Sequence, residues 1–321
     1  MESKALVTVI LPTHNHAPYI ARAIDSVLMQ ETDFPFDILL HDDASTDGTA
    51  DICRDYAARF PDRITLIAQT VNQYQIDRRI QRNILFPRVR AKYTAILDGD
   101  DYWLSPKKLQ KQVSYLEAHP DCTLCISGAD KVTADGVLIS SVEMTPYDRD
   151  RVVDPNDLIR GGGGFCATNT IVAPTKLLQD MPDFCGYTEV EDLPVQLWCG
   201  LNGYAWYIAE NLMAYCYAVP GSWSTRQYAA QRDTRQKTHE SIQAQLMAFD
   251  EYTQGRYHEA FLDAIRVQEY HLLCLAHDLR AIKRPPYREI YRRQTTKRKI
   301  RLHLERYCPG LAARYIAWKR N

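Results

Sequence analysis

The chain has 321 residues, of which 45% are hydrophobic and 25% charged, and its formal net charge is −1. These values are ordinary for globular proteins and exclude a disordered or fibrous chain, while the length suits one large domain or a smaller domain with an extension. The charge is uneven, because residues 1–225 contain 19 Lys and Arg against 30 Asp and Glu, whereas residues 226–321 contain 20 against 10. An acidic first part and a basic last part predict two separate roles.

Several of the nine cysteines fall in apolar stretches such as Leu124–Ile126 and Tyr215–Tyr217, which is typical of free core thiols in a reducing compartment. The first residues lead into a strand-like segment without the apolar stretch of a signal peptide. No uncharged apolar stretch reaches the about 18 residues that a spanning helix needs. We therefore expect a cytoplasmic protein that does not cross a bilayer.

The first 120 residues predict strands that alternate with helices. Short β-branched or apolar runs predict the strands, and apolar residues three or four positions apart predict the helices. The predicted strands are 7–11, which ends before Pro12, then 36–40, 64–67 and 93–97, and the predicted helices are 21–30, 50–57 and 81–88. This alternation predicts an α/β fold in which a mainly parallel sheet is covered by helices on both faces.

The pattern is more mixed after residue 120. Strand-like segments occur at 123–127, 136–140 and 206–208, and the glycine run Gly161–Gly164 is interpreted as a flexible loop because it lacks the pattern of a phosphate-binding loop. After residue 225, side chains at helical spacing predict a helical region. These side chains are Phe261, Ile265, Gln268, Leu272, Leu275 and Leu279.

Carboxylates follow the second and the fourth predicted strand. Ligands of open parallel sheets bind beyond the carboxyl ends of the strands, so both clusters are expected at one crevice. In the first cluster Asp43 can accept a hydrogen bond from a base or ribose, while the hydroxyl residues after it cap the next helix. Asp98, Asp100 and Asp101 repel one another unless a divalent cation is bound, and such a cation would also hold a diphosphate. A solvated acidic turn is the alternative for this second cluster.

Four segments in this order resemble family 2 glycosyltransferases, a large group of inverting enzymes with the GT-A fold. The matching segments are Val9–Asn15, His41–Thr49, Arg82–Asn83 and Leu97–Asp101. A fifth segment, Glu191–Asp192, resembles the acidic motif that carries the catalytic base of the family. The resemblance implies a GT-A fold, which is Rossmann-like with a mainly parallel mixed sheet flanked by helices, followed here by a helical, basic C-terminal extension.

The resemblance also implies roles for individual residues. The nucleotide-sugar-binding residues would be Pro12, His14, Asn15, Asp43, Arg82, Asp98 and Asp100. Asp101, together with Asp100, would ligate Mn²⁺ or Mg²⁺ beside the diphosphate of the donor. The family usually has tyrosine at the position of His14, whose imidazole can also stack on a base.

An inverting transfer needs a carboxylate that takes the proton of the acceptor hydroxyl as its oxygen attacks the anomeric carbon. A metal offsets the charge that develops on the leaving diphosphate. Asp192 is the predicted base and Glu191 is the alternative. Without the upstream motifs, this pair would be interpreted as an exposed acidic turn at the start of a helix.

The predicted organisation is a GT-A domain at 1–225, with a nucleotide-sugar half at about 1–120 and an acceptor half at about 121–225, followed by a helical, basic region at 226–321. The predicted function is sugar transfer from a nucleotide-sugar donor, a UDP-sugar by preference, to a saccharide or lipid-linked acceptor in cell-surface glycan synthesis. The alternative is a non-catalytic nucleotide-sugar-binding or scaffolding protein of the same fold. A nucleotidyltransferase is disfavoured, because its glycine- and arginine-rich loop after the first strand is missing.

Residues 279–321 hold 14 Lys and Arg against two Glu. Within this segment Ile300, Leu304 and Tyr307 repeat at i, i+4 and i+7 among basic residues, a pattern typical of a helix that lies on an anionic membrane. Packing on the acidic domain, or solvation, is the alternative. We expect peripheral attachment to the inner face of the membrane, and no nucleic acid partner, since no recognised motif accompanies the charge.

Overall fold

The structure is a computed structural model, and it describes residues 5–188, 190–222, 225–227, 230–308 and 310–311. The chain forms two compact units, residues 1–229 and residues 230–321. The described part of the first unit contains strands and helices, and that of the second contains helices.

The first unit is built on one mixed sheet, in which the described residues form ten strands. They are β1 (Val7–Thr13), β2 (Phe36–Asp42), β3 (Ile64–Ala68), β4 (Tyr93–Ile96), β5 (Tyr102–Trp103), β6 (Cys122–Val132), β7 (Leu138–Met144), β8 (Arg151–Val152), β9 (Val172–Pro174) and β10 (Tyr204–Cys216). The strand order along the main path is β3-β2-β1-β4-β9-β6-β10-β5, while β7 pairs with β6 and β8 pairs with β10.

The parallel pairs are concentrated in the first half of the sheet. β1 lies parallel to both β2 and β4, and β2 lies parallel to β3. β9 is antiparallel to β4 and to β6, whereas β10 is parallel to β6 and antiparallel to β5. The predicted α/β fold with a mixed sheet flanked by helices is confirmed, although its second half contains mostly antiparallel pairs.

The helices of the first unit cover this sheet. They are α1 (Ile20–Leu28), α2 (Thr49–Arg59), α3 (Lys108–Ala118), α4 (Pro155–Gly161), α5 (Thr175–Gln179) and α6 (Asp192–Leu201). The apolar side of α1, with Ile20, Ile24 and Val27, belongs to the same buried cluster as Val7 and Val9 of β1. This spacing of four and three residues places the three side chains on one face of the helix, which packs on the sheet.

Pro12 does not end the first strand, contrary to the sequence prediction. β1 continues to Thr13, and the carbonyl oxygen of Pro12 accepts a hydrogen bond of 3.0 Å from the N–H of Gly99. The missing N–H of Pro12 is tolerated because it lies on the side of β4, which has already ended at Ile96. The extra two residues carry the strand to the edge where the acidic loops begin.

An irregular segment replaces the helix predicted at 81–88. Gln81–Leu85 forms a π-helical turn and Phe86–Arg88 a 3-10 turn. Pro87 lies in the second turn and has no N–H with which to continue an α-helix. The sequence pattern therefore indicated the position of the segment correctly and its geometry wrongly.

The helical character predicted for the second unit is confirmed. Its helices in the described residues are α7 (Arg232–Tyr252), α8 (His258–Leu275), α9 (Arg288–Arg293) and α10 (Thr296–Tyr307). Phe261 and Ile265 are buried on α8, as their spacing predicted, whereas Leu279 lies beyond the end of this helix and is buried with Ile282. Within the described ranges, the helices are too short or too polar to traverse a lipid bilayer.

A buried lysine lies in the core of the first unit. Lys108, at the start of α3, is 0% exposed, and its Nζ donates hydrogen bonds to Oε1 of Gln112 at 2.7 Å and to the carbonyl oxygen of Thr170 at 3.5 Å. The ammonium also lies 4.3 Å from the ring centre of Trp103. Burial lowers the pKa of Lys108 to about 7, since a charged group is costly in a medium of low polarity.

We predict that the stability of the protein, relative to a Lys108→Met variant, rises as the pH rises from 7 to 9. In this range the unfolded lysine, with a pKa near 10.5, keeps its proton, whereas the folded lysine loses it. The free energy of unfolding therefore increases by about 1 kcal/mol for each pH unit. Urea unfolding at several pH values measures this difference. Lys111→Met on the exposed side of the same helix is the control and should give a constant difference. A constant difference for Lys108→Met as well would contradict the prediction.

Candidate functional site

A cleft of about 320 Å³ lies at the carboxyl ends of β1, β2 and β4. Eight of the ten residues that the sequence indicated for the site line it, although they come from segments far apart in the chain. These eight are Pro12, His14, Asp43, Asp98, Asp100, Asp101, Glu191 and Asp192. The cleft therefore has the position expected for a ligand site in an open α/β sheet.

The loop after β4 is pressed against the end of β1. The N–H of Asp98 donates a hydrogen bond of 2.9 Å to Oδ1 of Asn169, and the N–H of Gly99 donates to Pro12. A Cβ atom at Gly99 would lie 2.5 Å from Oγ1 of Thr13 and 3.0 Å from Nδ1 of His16. Only glycine fits at this close approach, and the residues on either side of it, Asp98 and Asp100, line the cleft.

The carboxylate of Asp101 is held by two donors. Asp101 is 2% exposed, and its Oδ1 accepts a hydrogen bond of 2.7 Å from the N–H of Cys216. Its Oδ2 accepts a hydrogen bond from Nδ2 of Asn169. Burial, followed by the charge of Asp100, raises the pKa of Asp101 well above its usual range, while these two hydrogen bonds act in the opposite direction.

Negative charge is concentrated on this side of the cleft. Burial and the neighbouring charge of Asp100 raise the pKa of Asp98 to about 7. Nε2 of His16 lies 4.0 Å from Oδ2 of Asp100. Carboxylate oxygens at this density fit a hard divalent cation. In the described residues, no three His, Cys, Asp or Glu side chains are grouped closely enough to hold a metal by themselves, so such a cation would need ligands from a bound molecule.

Asp43 fixes the opposite wall of the cleft. Its two carboxylate oxygens accept hydrogen bonds from the N–H groups of Gln73 at 2.6 Å and Tyr74 at 3.0 Å. Nδ1 of His14 lies 2.8 Å from the carbonyl oxygen of Asp43, so the ring donates from this nitrogen. Asn72 also donates to that carbonyl oxygen, at 3.2 Å. Asp43 thereby joins the end of β2 to the turn that carries Tyr74.

Asn15 and Arg82 do not line the cleft. Oδ1 of Asn15 accepts a hydrogen bond of 2.8 Å from the N–H of Thr46, which ties the loop after β1 to the loop after β2. The guanidinium of Arg82 donates to the carbonyl oxygens of Met181 at 3.1 Å and Pro182 at 2.8 Å. Both side chains are engaged in connecting segments of the chain.

Glu191 is an anchor between two segments. Its Oε2 accepts a hydrogen bond of 3.1 Å from the N–H of Gln81, and its Oε1 accepts one of 2.9 Å from the N–H of Arg82. Burial raises its pKa to about 7 against the effect of these hydrogen bonds. Glu191 thus satisfies the first N–H groups of the irregular segment and fixes the loop that leads into α6.

Asp192 is the first residue of α6, and its carboxylate faces the cleft. Its Oδ1 accepts a hydrogen bond of 2.8 Å from the N–H of Leu193, and burial raises its pKa to about 6. The charge of Asp192 also contributes to the raised pKa of Asp98, so the two carboxylates act on the same space. A Cβ atom at Gly163 would lie 3.0 Å from Oδ1 of Asp192. The glycine run, interpreted from sequence as a flexible loop, forms the end of α4 and a 3-10 turn beside this carboxylate.

Among the side chains lining the cleft that the sequence did not indicate are Tyr74 and Arg226, and Arg78 lines it as well. The guanidinium of Arg226 lies 4.9 Å from the ring centre of Tyr74. Arg226 stands at the start of the predicted basic region, without a motif that would connect it with the acidic clusters. Its place in the cleft depends on the return of the chain after β10, which no local pattern indicates.

An α/β sheet of this order, with an acidic loop beyond its fourth strand and a carboxylate at the start of α6, defines a GT-A glycosyltransferase fold. The chain belongs to glycosyl transferase family 2, whose model matches residues 8–169. Staphylococcus aureus TarS 1–349, solved in complex with UDP-GlcNAc, has a similar structure, with a TM-score of 0.59, 16% identity, and coverage of 85% of this chain and 73% of TarS 1–349. The mannosyltransferase PcManGT from Pyrobaculum calidifontis, solved with GDP-Man and Mn²⁺, has a TM-score of 0.51, 18% identity, and coverage of 90% and 83%.

Relatives found by sequence match about half of the chain. An uncharacterized protein of Mycobacterium tuberculosis is 35% identical over 166 residues, which are 52% of this chain and 46% of that protein. TuaG of Bacillus subtilis, named for teichuronic acid biosynthesis, is 32% identical over 149 residues, or 45% of this chain and 56% of TuaG. The chain spans about half the length of the curated relatives that it matches.

We predict that Asn169→Ala lowers the free energy of unfolding by about 2–4 kcal/mol, because it leaves the buried carboxylate of Asp101 without one donor and the N–H of Asp98 without its acceptor. Urea unfolding at neutral pH measures the loss. Asn156→Ala is the matched control, since Asn156 is only half-buried and its side chain donates to the exposed Asp154, and it should change stability by about 0.5 kcal/mol or less. Equal effects of the two variants would contradict the role of Asn169 as a support of the acidic loop.

Proposed function

We propose that the chain is an inverting glycosyltransferase that moves a sugar from a UDP-sugar to a hydroxyl group of a saccharide or lipid-linked acceptor in cell-surface glycan synthesis. The observation that carries the proposal is the presence of Asp192 in the same cleft as Asp98, Asp100 and Asp101. Asp192 is then available to take the proton of the acceptor, and the other carboxylates are available to hold the cation that binds the donor diphosphate. The UDP-GlcNAc bound by TarS and the name of TuaG support the donor and the pathway class.

The donor binds along the wall formed by the loops after β1 and β2. The nucleotide base lies against Pro12, His14 and Tyr74, with Asp43 supporting the turn that carries Tyr74. Six carboxylates and two arginines line the cleft, so an anionic diphosphate meets unfavourable charge unless positive charge is added. Arg226 supplies part of that charge from its position over Tyr74.

The carboxylates of Asp101 and Asp100 fit a Mn²⁺ or Mg²⁺ ion whose remaining ligands come from the diphosphate and water, as is usual where protein carboxylates are few. When bound, such an ion supplies positive charge that stabilises the leaving diphosphate. The Mn²⁺ in the structure of PcManGT supports this assignment. Asn169 and Cys216 hold the Asp101 carboxylate in one orientation, which is the part of the site that the chain itself provides.

Asp192 takes the proton of the acceptor hydroxyl. The bond from the anomeric carbon to the diphosphate oxygen breaks as the bond to the acceptor oxygen forms on the opposite face, and the proton passes to Oδ2 of Asp192. Oδ1 is already engaged with Leu193. Glu191 is disfavoured as the base, because each of its oxygens accepts a backbone hydrogen bond.

The first test is donor turnover by the full-length chain. Incubation with UDP- and GDP-sugars and Mn²⁺ should release nucleotide, and a chelator should stop the release. Thermal unfolding with the same compounds measures donor binding separately. Donor binding without release, with and without saccharide acceptors, would favour a non-catalytic nucleotide-sugar-binding protein, and absence of donor binding would reject both.

We predict that Asp192→Asn lowers kcat by about 100-fold or more while the affinity for UDP is unchanged. Glu191→Gln should lower the unfolding temperature, because its amide group cannot accept both backbone hydrogen bonds. Since the base must be ionised, kcat of the natural chain should rise with pH through about 6, the raised pKa of Asp192. Steady-state kinetics between pH 5 and 8 test this. A kcat that is lost in Glu191→Gln and kept in Asp192→Asn would reverse the assignment.

We predict that Arg226→Ala raises KM for the donor about 10-fold or more, the usual effect of losing a charge-assisted contact. Arg226→Lys should recover part of the loss because it keeps the charge. Arg54→Ala, on the exposed side of α2, is the control and should leave KM unchanged. An unchanged KM in Arg226→Ala would remove Arg226 from the donor site.

A further inference from the structure

The helix α10 has two apolar sides. Leu302 is 5% exposed and packs in the small core of the second unit with Tyr270 and Ile282. Ile300 and Tyr307 are 55% and 69% exposed. Since successive residues of an α-helix are rotated by about 100°, Ile300 lies about 200° from Leu302 and points away from that core.

Three apolar residues on the side of α10 away from that core line one groove. Ile300, Leu304 and Tyr307, which we call the apolar stripe, line a shallow groove of about 410 Å³ together with Tyr291 and His303. The stripe cannot turn inward without removing Leu302 from the core. Ile300 and Tyr307 are exposed and Leu304 is half-buried. Exposure of large apolar side chains on one helix face is unfavourable in water, so a partner surface is expected there.

The surroundings of the stripe are strongly basic. Residues 288–307 hold eight Lys and Arg against two Glu. Glu289 is paired with Arg292 at 2.7 Å, and Glu305 is paired with Arg301 at 2.7 Å. The other cations, of which Lys297 and Arg298 are exposed, are therefore not balanced by a carboxylate of α9 or α10.

We propose that the apolar stripe and the cations of α9 and α10 form a docking surface for an anionic phospholipid membrane. Ile300, Leu304 and Tyr307 enter the boundary between headgroups and acyl chains, while the cations contact the lipid phosphates. Charge complementarity selects an anionic surface, and the apolar stripe distinguishes a lipid surface from a nucleic acid, which needs only the charge. The proposal is independent of the catalytic assignment, because its residues are all in the second unit.

Vesicle co-sedimentation of the full-length chain tests the proposal. The chain should bind vesicles of phosphatidylcholine mixed with phosphatidylglycerol, bind much less to phosphatidylcholine alone, and lose affinity as salt screens the charges. The triple variant Ile300→Ser, Leu304→Ser, Tyr307→Ser should lower the partition coefficient about 10-fold or more. Met247→Ser, at an exposed methionine of α7, is the matched control and should bind as the natural chain does.

Circular dichroism and thermal unfolding check that the triple variant keeps its helices, as expected for changes on the solvent side of α10. If the triple variant does not fold, the single variant Ile300→Ser is measured instead. Its change in the free energy of vesicle binding should be about a third of that expected for the triple variant. The proposal is overturned if the natural chain does not bind the anionic vesicles. It is also overturned if a folded stripe variant binds them equally, which would indicate a purely electrostatic polyanion site, or if the stripe variant changes only the oligomeric state.

Discussion

The structure depends on the burial of carboxylates at the carboxyl ends of the parallel strands. Each ionised group there is costly unless it receives hydrogen bonds or a cation. The chain provides the hydrogen bonds itself: Asn169 and Cys216 hold Asp101, and backbone N–H groups hold Asp43 and Glu191. These bonds join segments that are distant in sequence, so the same contacts that make the acidic groups tolerable also assemble the cleft.

The difference between the neighbouring residues Glu191 and Asp192 follows from these hydrogen bonds. Glu191 gives both oxygens to the backbone of another segment, whereas Asp192 begins a helix and gives one oxygen to the next residue. Two adjacent carboxylates thus differ in what they can do, although their burial raises both pKa values. A carboxylate that accepts a proton must be accessible to the substrate. A carboxylate whose two oxygens are both bonded to the backbone holds two segments of the chain together instead.

Much of the fold was predictable because local patterns determine it. The buried strands β1, β2 and β4 are short apolar runs, and acidic loops follow β2 and β4 directly, so Asp43, Asp98, Asp100 and Asp101 could be expected at one crevice. The other four cleft residues, Pro12, His14, Glu191 and Asp192, were indicated by the resemblance to a family. Arg82 and Arg226 show the limit: the guanidinium of Arg82 is taken up by carbonyl groups of a distant turn, and Arg226 reaches the cleft only through the return of the chain after β10. The mostly antiparallel second half of the sheet was also beyond local reasoning, because pairing between distant strands has no signature in either strand alone.

The tight contact at Gly99 restricts how the cleft can change during evolution or redesign. Where the acidic loop meets the end of β1 there is no space for even one added methyl group, so changes in selectivity at the proposed donor site have to come from other positions. His14 and Tyr74 lie on loops that Asp43 holds, His14 through the carbonyl oxygen of Asp43 and Tyr74 through its carboxylate. For the proposed donor site, substitutions that alter preference are therefore expected at His14 and Tyr74 and not at Gly99.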